Sequence, residues 1–130
     1  AAMDALLKDG HDFVYVHIEA PDEMGHQGSV ENKIKSIELI DSQIVEPIIQ
    51  NLGKTGEPFK MLVLPDHPTP IRLRTHTGDP VPFVIYDSRY QRRRISRFSE
   101  REAKSTGLFV ADGYTLIEQL IGGQNNGESV

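Results

Sequence analysis

The strongest constraint on the fold of this chain is a long amphipathic helical pattern in its first half. Apolar residues recur there at helical spacing, at Val30, Ile34, Ile37, Ile44 and Ile48. Ser29 is placed to cap the start of this helix, whereas Pro47 removes a backbone donor within it, which predicts a kink near Ile44. With 130 residues, 38% of them hydrophobic, the chain has the length and apolar content of a single compact domain.

Apolar runs on both sides of this helix favour β-strands. Residues 13–18 and 61–64 are short apolar runs bounded by turn-forming residues, and residues 82–86 form a third such run. Their near-continuous apolar character is typical of strands that are buried on both faces of a parallel sheet. The order of strand, helix and strand therefore predicts an α/β fold, with a right-handed crossover and a mostly parallel sheet flanked by helices.

Three shorter helical patterns lie outside this central region. They cover residues 1–8, a stretch from Ser99 to Gly107, and residues 114–120. Because the chain begins inside the first of these helices, it looks like a piece of a longer protein. Residues 124–130 have almost no apolar content, so we expect one domain over residues 1–123 followed by a disordered tail.

Composition narrows the classes of function. With 19 acidic and 14 basic side chains the net charge is −5, which disfavours nucleic acid as a partner because neutralising its phosphates requires surplus Lys and Arg. The chain has no cysteine, so any metal must be held by carboxylate and imidazole groups. No apolar run is long enough to cross a bilayer and no leader opens the chain, so we expect no membrane partner, and the absence of cysteine fits a cytoplasmic protein.

The first candidate ligand pair follows the apolar run at residues 13–18. Asp22 and His26 are spaced i, i+4, and Pro21 can begin a helical turn there. On one face of a helix, a carboxylate and an imidazole at this spacing can reach the same metal ion. An isolated pair of this kind is more commonly a capping Asp beside a surface His.

The remaining candidate ligands follow the second apolar run. Asp66 and His67 lie between Pro65 and Pro68, and they can share one metal only if these prolines impose a turn, because adjacent side chains of an extended chain diverge. His76 follows in a loop, where a lone His is usually solvated. Since ligands collect at the carboxyl ends of strands, the combined set predicts a metal site at that edge of the sheet.

These motifs resemble those of a known enzyme family. The resemblance is carried by residues 17–28 (HIEAPDEMGHQG), 64–70 (LPDHPTP), 75–76 (TH) and 79–83 (DPVPF). They look like the closing motifs of archaeal-type, cofactor-independent (bisphosphoglycerate-independent) phosphoglycerate mutases, within the wider alkaline phosphatase superfamily. The resemblance extends from about Asp12 to about Gly122. It implies that the chain is the C-terminal, metal-binding part of an alkaline-phosphatase-like domain.

The resemblance also implies a reaction and a division of roles. Asp22, His26 and His76 would hold one divalent metal ion, whereas Asp66 and His67 would belong to a second, and the metal would be Mn, Mg or Zn. The implied enzyme interconverts 3-phosphoglycerate and 2-phosphoglycerate through a phosphoserine, so its partner is a small phosphorylated substrate. In the family the nucleophilic serine and a further aspartate come from an N-terminal segment, and neither motif is found here. We therefore expect no catalytic nucleophile in this chain and no activity of the chain alone.

Other functions are compatible with the same residues. The ligands are shared with other phosphatases of the superfamily and with phosphopentomutases, and a non-catalytic metal-binding domain could keep them without a nucleophile. The expected protein partner is the N-terminal remainder of the same protein. An unpaired sheet edge would also allow self-association into an oligomer.

Two groups of arginines have no assigned role. The basic run from Arg89 to Arg97 could clamp a phosphate, but a solvated loop or a packing surface is the commoner role of such a run. Arg72 and Arg74 alternate with apolar residues, which predicts that this segment has one solvent-exposed and one buried face.

Overall fold

The protein comprises two compact units. A computed structural model describes residues 1–90 and 97–122. The first unit is formed by Ala1–Thr55 and Thr69–Thr77, and the second by Gly56–Pro68 and Gly78–Val130. The predicted disordered tail and the arginines at positions 92–94 lie outside the described residues.

The first unit is helical. Its elements are α1 (Ala2–Leu7), α2 (Ala20–Gln27), α3 (Val30–Ile40), a π-helical turn (Asp41–Val45) and α4 (Glu46–Gly53). Helices α2 and α3 pack against each other, and Gly28 turns the chain between them in a left-handed conformation with φ 72°. Ser29 then caps α3, because its hydroxyl accepts a hydrogen bond from the backbone N–H of Asn32 at 3.4 Å. The predicted amphipathic helix and its cap are confirmed.

The long helical pattern is interrupted close to its proline. Helices α3 and α4 are joined by the π-helical turn, and Pro47 lies in the first turn of α4. Pro47 has no N–H to donate to the carbonyl of Gln43, and the widened turn before it accommodates the missing hydrogen bond. A π-helical turn therefore lies at the position where a kink is predicted, near Ile44.

The second unit contains the one sheet found in the described part of the chain. Strand β1 (Lys60–Val63) pairs with β2 (Val84–Asp87) in antiparallel register, with Lys60 opposite Asp87. The other elements of this unit are α5 (Glu100–Ser105), a 3-10 turn (Gly113–Thr115) and α6 (Leu116–Ile121). The strands and helices predicted in these stretches are confirmed to within a few residues.

Charged side chains link the elements of the second unit. Lys60 donates from Nζ to the carbonyl oxygens of Gln119 and Gly122 at 2.9 and 3.1 Å, so its charge lies at the C-terminal end of α6, where the helix dipole favours a cation. Arg89 donates to both carboxylate oxygens of Asp87, at 2.9 and 2.6 Å. These hydrogen bonds lower the pKa of Asp87, so its carboxylate stays ionised to lower pH than an ordinary aspartate.

The sheet differs from the predicted one. Residues 13–18 form no strand, and the two strands that are present run antiparallel, so the mostly parallel sheet and its right-handed crossover are not confirmed. A strand needs a neighbour for its backbone hydrogen bonds, and residues 13–18 pair with no strand of the described chain. Tyr15 and His17 still show the alternation of an extended segment, since their rings stack on one side with centroids 6.1 Å apart.

Few apolar side chains are fully buried. Leu116 in α6, which is 4% exposed, is the one buried large apolar side chain among the described residues. Val30, Ile34 and Ile37, on the apolar face of α3, are exposed. None of the helices in the described ranges has the length and apolar content to cross a bilayer. The apolar pattern therefore predicts the helix α3 correctly but not the burial of its face within this chain.

Candidate metal centre

Two of the candidate ligands lie on α2. Asp22 falls in the first turn, where the helix dipole favours a carboxylate, and Pro21 fits there because no donor is needed. His26 lies one turn later, so the two side chains share a face of the helix. The Nε2 atom of His26 is 3.3 Å from Oδ2 of Asp22. The helix alone therefore brings an imidazole against a carboxylate.

His76 joins this pair from a loop of the same unit. The segment Thr69–Thr77 belongs with α2 to the first unit. Nε2 of His76 lies 3.1 Å from Nε2 of His26 and 3.4 Å from Oδ1 of Asp22. One ligand atom from each of these residues lies within 4.8 Å of the other two. The structure thus brings together three residues from two distant parts of the sequence.

The spacing of these atoms fits a single divalent ion. Ligand atoms that lie about 2.1 Å from one ion are about 3.4 Å apart at the tetrahedral angle. The two imidazole nitrogens are 3.1 Å apart, and they lie 3.3 and 3.4 Å from the two different oxygens of the Asp22 carboxylate, which is close to that separation. One carboxylate with two imidazoles is a donor set that suits Zn²⁺ and Mn²⁺, and it leaves coordination positions for water or a substrate oxygen. The donor chemistry of Asp22, His26 and His76 therefore fits a metal.

A buried threonine orients Asp22. Thr69, which is 4% exposed, donates its hydroxyl proton to Oδ1 of Asp22. The Thr69 carbonyl accepts a hydrogen bond from Nζ of Lys33 at 2.6 Å, so α3 holds the same residue. The approach of α2 to Thr69 requires a glycine, because a β-carbon on Gly25 would lie 2.7 Å from the Thr69 carbonyl oxygen and 2.9 Å from its Cγ2. Packing at Gly25 thus sets the position of the hydroxyl that holds the carboxylate.

The ring of His26 is held on its other side by the backbone. Its Nδ1 atom lies 2.9 Å from the carbonyl oxygen of Arg74. Arg74 ends a tight turn in which its own N–H and that of Leu73 both donate to the Pro70 carbonyl at 2.9 Å. Among the described residues, Arg74 is the one non-glycine residue with a positive φ, 53°. The interpretation of this segment as alternating wet and buried positions is therefore wrong, because the segment is a turn.

Asp66 and His67 lie in the second unit, after β1. The chain bends at both residues, which confirms the turn predicted from Pro65 and Pro68. Nε2 of His67 is 3.4 Å from Oδ2 of Asp66, and the backbone N–H of His67 donates to Oδ1 at 3.0 Å. The two side chains can therefore reach one ion together.

Comparison with known proteins identifies the family. Residues 1–120 match the metalloenzyme superfamily. The chain belongs to this superfamily. The match spans both segments that carry candidate ligands and confirms the predicted superfamily.

Two curated relatives show which metalloenzymes the chain resembles. It is 48% identical over 123 residues to the 2,3-bisphosphoglycerate-independent phosphoglycerate mutase of Methanothrix thermoacetophila. The matched region covers 95% of this chain and 31% of that relative. The chain is 46% identical over 122 residues to the protein of the same name from Methanosarcina mazei, covering 93% of this chain and 30% of the relative. The chain thus spans about a third of the length of the curated relatives it matches. No solved structure gives a significant match.

The sequence points to the candidate ligands but not to the residues that hold them in place. No pattern in one sequence marks Thr69 as a buried hydroxyl, and Lys33 is indistinguishable from the exposed lysines of an amphipathic helix. The contact between the backbone carbonyl of Arg74 and His26 cannot be predicted from the pattern of side chains. Gly25 is the one available signal, because a glycine inside a helix is unfavourable unless close packing requires it.

Replacing Gly25 tests this packing. We expect Gly25→Ala to lower the free energy of unfolding by about 1–3 kcal/mol, because the added methyl group meets the backbone of Thr69. Gly53→Ala is the matched control: Gly53 is also helical, but nothing lies within 4 Å of its added β-carbon, so the change should be neutral or stabilise by up to about 1 kcal/mol. Urea unfolding followed by circular dichroism measures both variants. Equal effects of the two substitutions would contradict the packing at Gly25.

Proposed function

We propose that this chain supplies metal ligands to a phosphoglycerate mutase, an enzyme that interconverts 3-phosphoglycerate and 2-phosphoglycerate. The observation that carries the proposal is the convergence of Asp22, His26 and His76 around a space that fits one divalent ion. Membership of the metalloenzyme superfamily supports a metal, and the names of the relatives support the reaction. Mn²⁺, Mg²⁺ and Zn²⁺ are the proposed ions.

In this proposal the residues of the chain hold a metal ion and orient the side chains that bind it. Asp22 binds through its carboxylate, and His26 and His76 bind through Nε2. Bound there, a divalent ion supplies positive charge and Lewis acidity for a phosphate oxygen, because only one of its protein ligands is anionic. The hydroxyl of Thr69 fixes the orientation of the Asp22 carboxylate. The partial exposure of the ligands leaves the site accessible to a small phosphorylated substrate.

We assign Asp66 and His67 to a second ion of the same enzyme. The separation of 3.4 Å between their side chains equals that expected for two ligands of one ion. Two donors do not complete a coordination shell, so further ligands must come from elsewhere. We propose that an aspartate and the serine nucleophile are supplied by a part of the longer protein that this chain does not span.

The same proposal accounts for the surfaces that this chain leaves uncovered. The relatives are roughly three times as long as the matched region, and we propose that the chain is the C-terminal portion of such a protein. The remainder would cover the exposed apolar face of α3. It would also give residues 13–18 strand neighbours, so that the mostly parallel sheet forms in the complete enzyme.

Metal binding tests the three-ligand site. Calorimetric titration of Mn²⁺ and Zn²⁺ into the chain should reveal a binding site. We expect His26→Ala to weaken the metal affinity of this site by about tenfold to 100-fold, because one of the proposed ligands is lost. His11→Ala is the matched control, since it removes an exposed imidazole from the same unit and should leave the affinity unchanged. Equal affinities of the original chain and His26→Ala would contradict the assignment.

Because the serine nucleophile is proposed to lie outside this chain, we expect this chain alone to have no mutase activity. Ser29 and Ser99 serve as helix caps, so neither is placed as a nucleophile. An assay that couples 2-phosphoglycerate formation to its consumption should show no turnover at saturating Mn²⁺ or Zn²⁺. Turnover by the pure chain of 130 residues above that of its His26→Ala variant would show that the nucleophile lies within it.

A further inference from the structure

The ring of His26 makes a polar contact on the side away from the other ligands. Its Nδ1 atom lies 2.9 Å from the carbonyl oxygen of Arg74, whereas its Nε2 atom faces Asp22 at 3.3 Å and His76 at 3.1 Å. A carbonyl oxygen can only accept a hydrogen bond, so this contact requires that Nδ1 carries a proton. In the neutral ring, Nε2 then presents its lone pair toward the Asp22 carboxylate.

This tautomer is the one that can bind a metal. In the neutral ring, the Nε2 lone pair and the Asp22 carboxylate are both acceptors, and two acceptors 3.3 Å apart repel each other unless a proton or a metal cation lies between them. The opposite tautomer would place an N–H group in the same space, where it would bond to the carboxylate instead. The Arg74 carbonyl therefore favours the form of His26 that serves as a ligand.

The position of that carbonyl depends on an unusual backbone conformation. Arg74 has φ 53°, in the left-handed region that residues other than glycine rarely adopt. It follows a tight turn in which the N–H groups of Leu73 and Arg74 both donate to the Pro70 carbonyl. The guanidinium of Arg74 also packs on Gly28, where a β-carbon would lie 2.5 Å from Nε. Conformations of this kind are retained where the surroundings hold them.

We propose that Arg74 is a positioning residue, whose left-handed backbone rather than its charge aims a carbonyl at His26 and fixes the metal-binding tautomer. The proposal rests on the proposed metal site and adds to it a residue outside the ligand set. The Nδ1 contact, the acceptor pair at Nε2 and the positive φ together support this role.

Two substitutions at Arg74 separate the backbone from the side chain. Both Arg74→Gly and Arg74→Val remove the guanidinium, but glycine favours a positive φ whereas a β-branched valine strongly disfavours it. Long-range ¹H–¹⁵N spectra recorded at alkaline pH, where imidazole rings are neutral, show which ring nitrogen of His26 carries the proton. We expect the Nδ1–H tautomer in the original chain and in Arg74→Gly, and its loss in Arg74→Val.

Several outcomes would overturn the proposal. A proton on Nε2 of His26 in the original chain would do so, as would an unchanged tautomer in a folded Arg74→Val variant. If Arg74→Val does not fold, Arg74→Gly decides the matter alone, because loss of the Nδ1–H form in that variant would assign the effect to the guanidinium.

Zn²⁺ affinity gives a second, independent measurement. Calorimetry should show Zn²⁺ binding to Arg74→Gly close to that of the original chain, and binding to Arg74→Val that is about tenfold to 100-fold weaker. Equal weakening in both variants would contradict a backbone role. If the original chain binds no Zn²⁺ while the tautomers follow the expected pattern, the proposed metal function fails and the role of Arg74 in setting the ring of His26 stands.

Discussion

The hydrogen bond from Thr69 to Asp22 exists because α2 packs directly on the backbone of Thr69, with only a hydrogen atom at Gly25 between them. Glycine inside a helix costs about 1 kcal/mol relative to alanine. A hydrogen bond to a charged acceptor contributes about 1.5–3 kcal/mol, so the contact outweighs the poor helix propensity that permits it. The rest of the site follows from this packing, because it fixes the face of α2 that carries both Asp22 and His26.

The candidate centre combines local and long-range constraints. Helical spacing alone places Asp22 and His26 on one face, a relation that holds in any helix with this sequence. His76 is different, since only the packing of its loop in the first unit brings Nε2 within 3.1 Å of His26. Where the facing imidazole nitrogen presents its lone pair, a carboxylate beside it is electrostatically unfavourable unless a proton or a metal cation lies between them, and a divalent ion held by these three residues would supply that charge.

How well the sequence predicts the structure depends on the range of the interaction. Ser29 and Ser99 mark helix starts correctly because capping is a contact over three residues. Residues 13–18 carry a strand pattern but form no strand, because strand pairing needs a partner that sequence periodicity cannot supply. The candidate ligands are identified from residue type and spacing. Thr69 and Arg74 are not, since a buried hydroxyl and an aimed carbonyl result from tertiary packing.

The central claim is that Asp22, His26 and His76 bind one ion, and locating that ion tests it most directly. Crystals of the chain grown with Zn²⁺ can be measured at the zinc absorption edge, where an anomalous difference map marks the metal. We expect a peak about 2.0–2.2 Å from Nε2 of His26, from Nε2 of His76 and from a carboxylate oxygen of Asp22. A zinc peak held by other residues, with these three side chains turned away from one another, would contradict the claim.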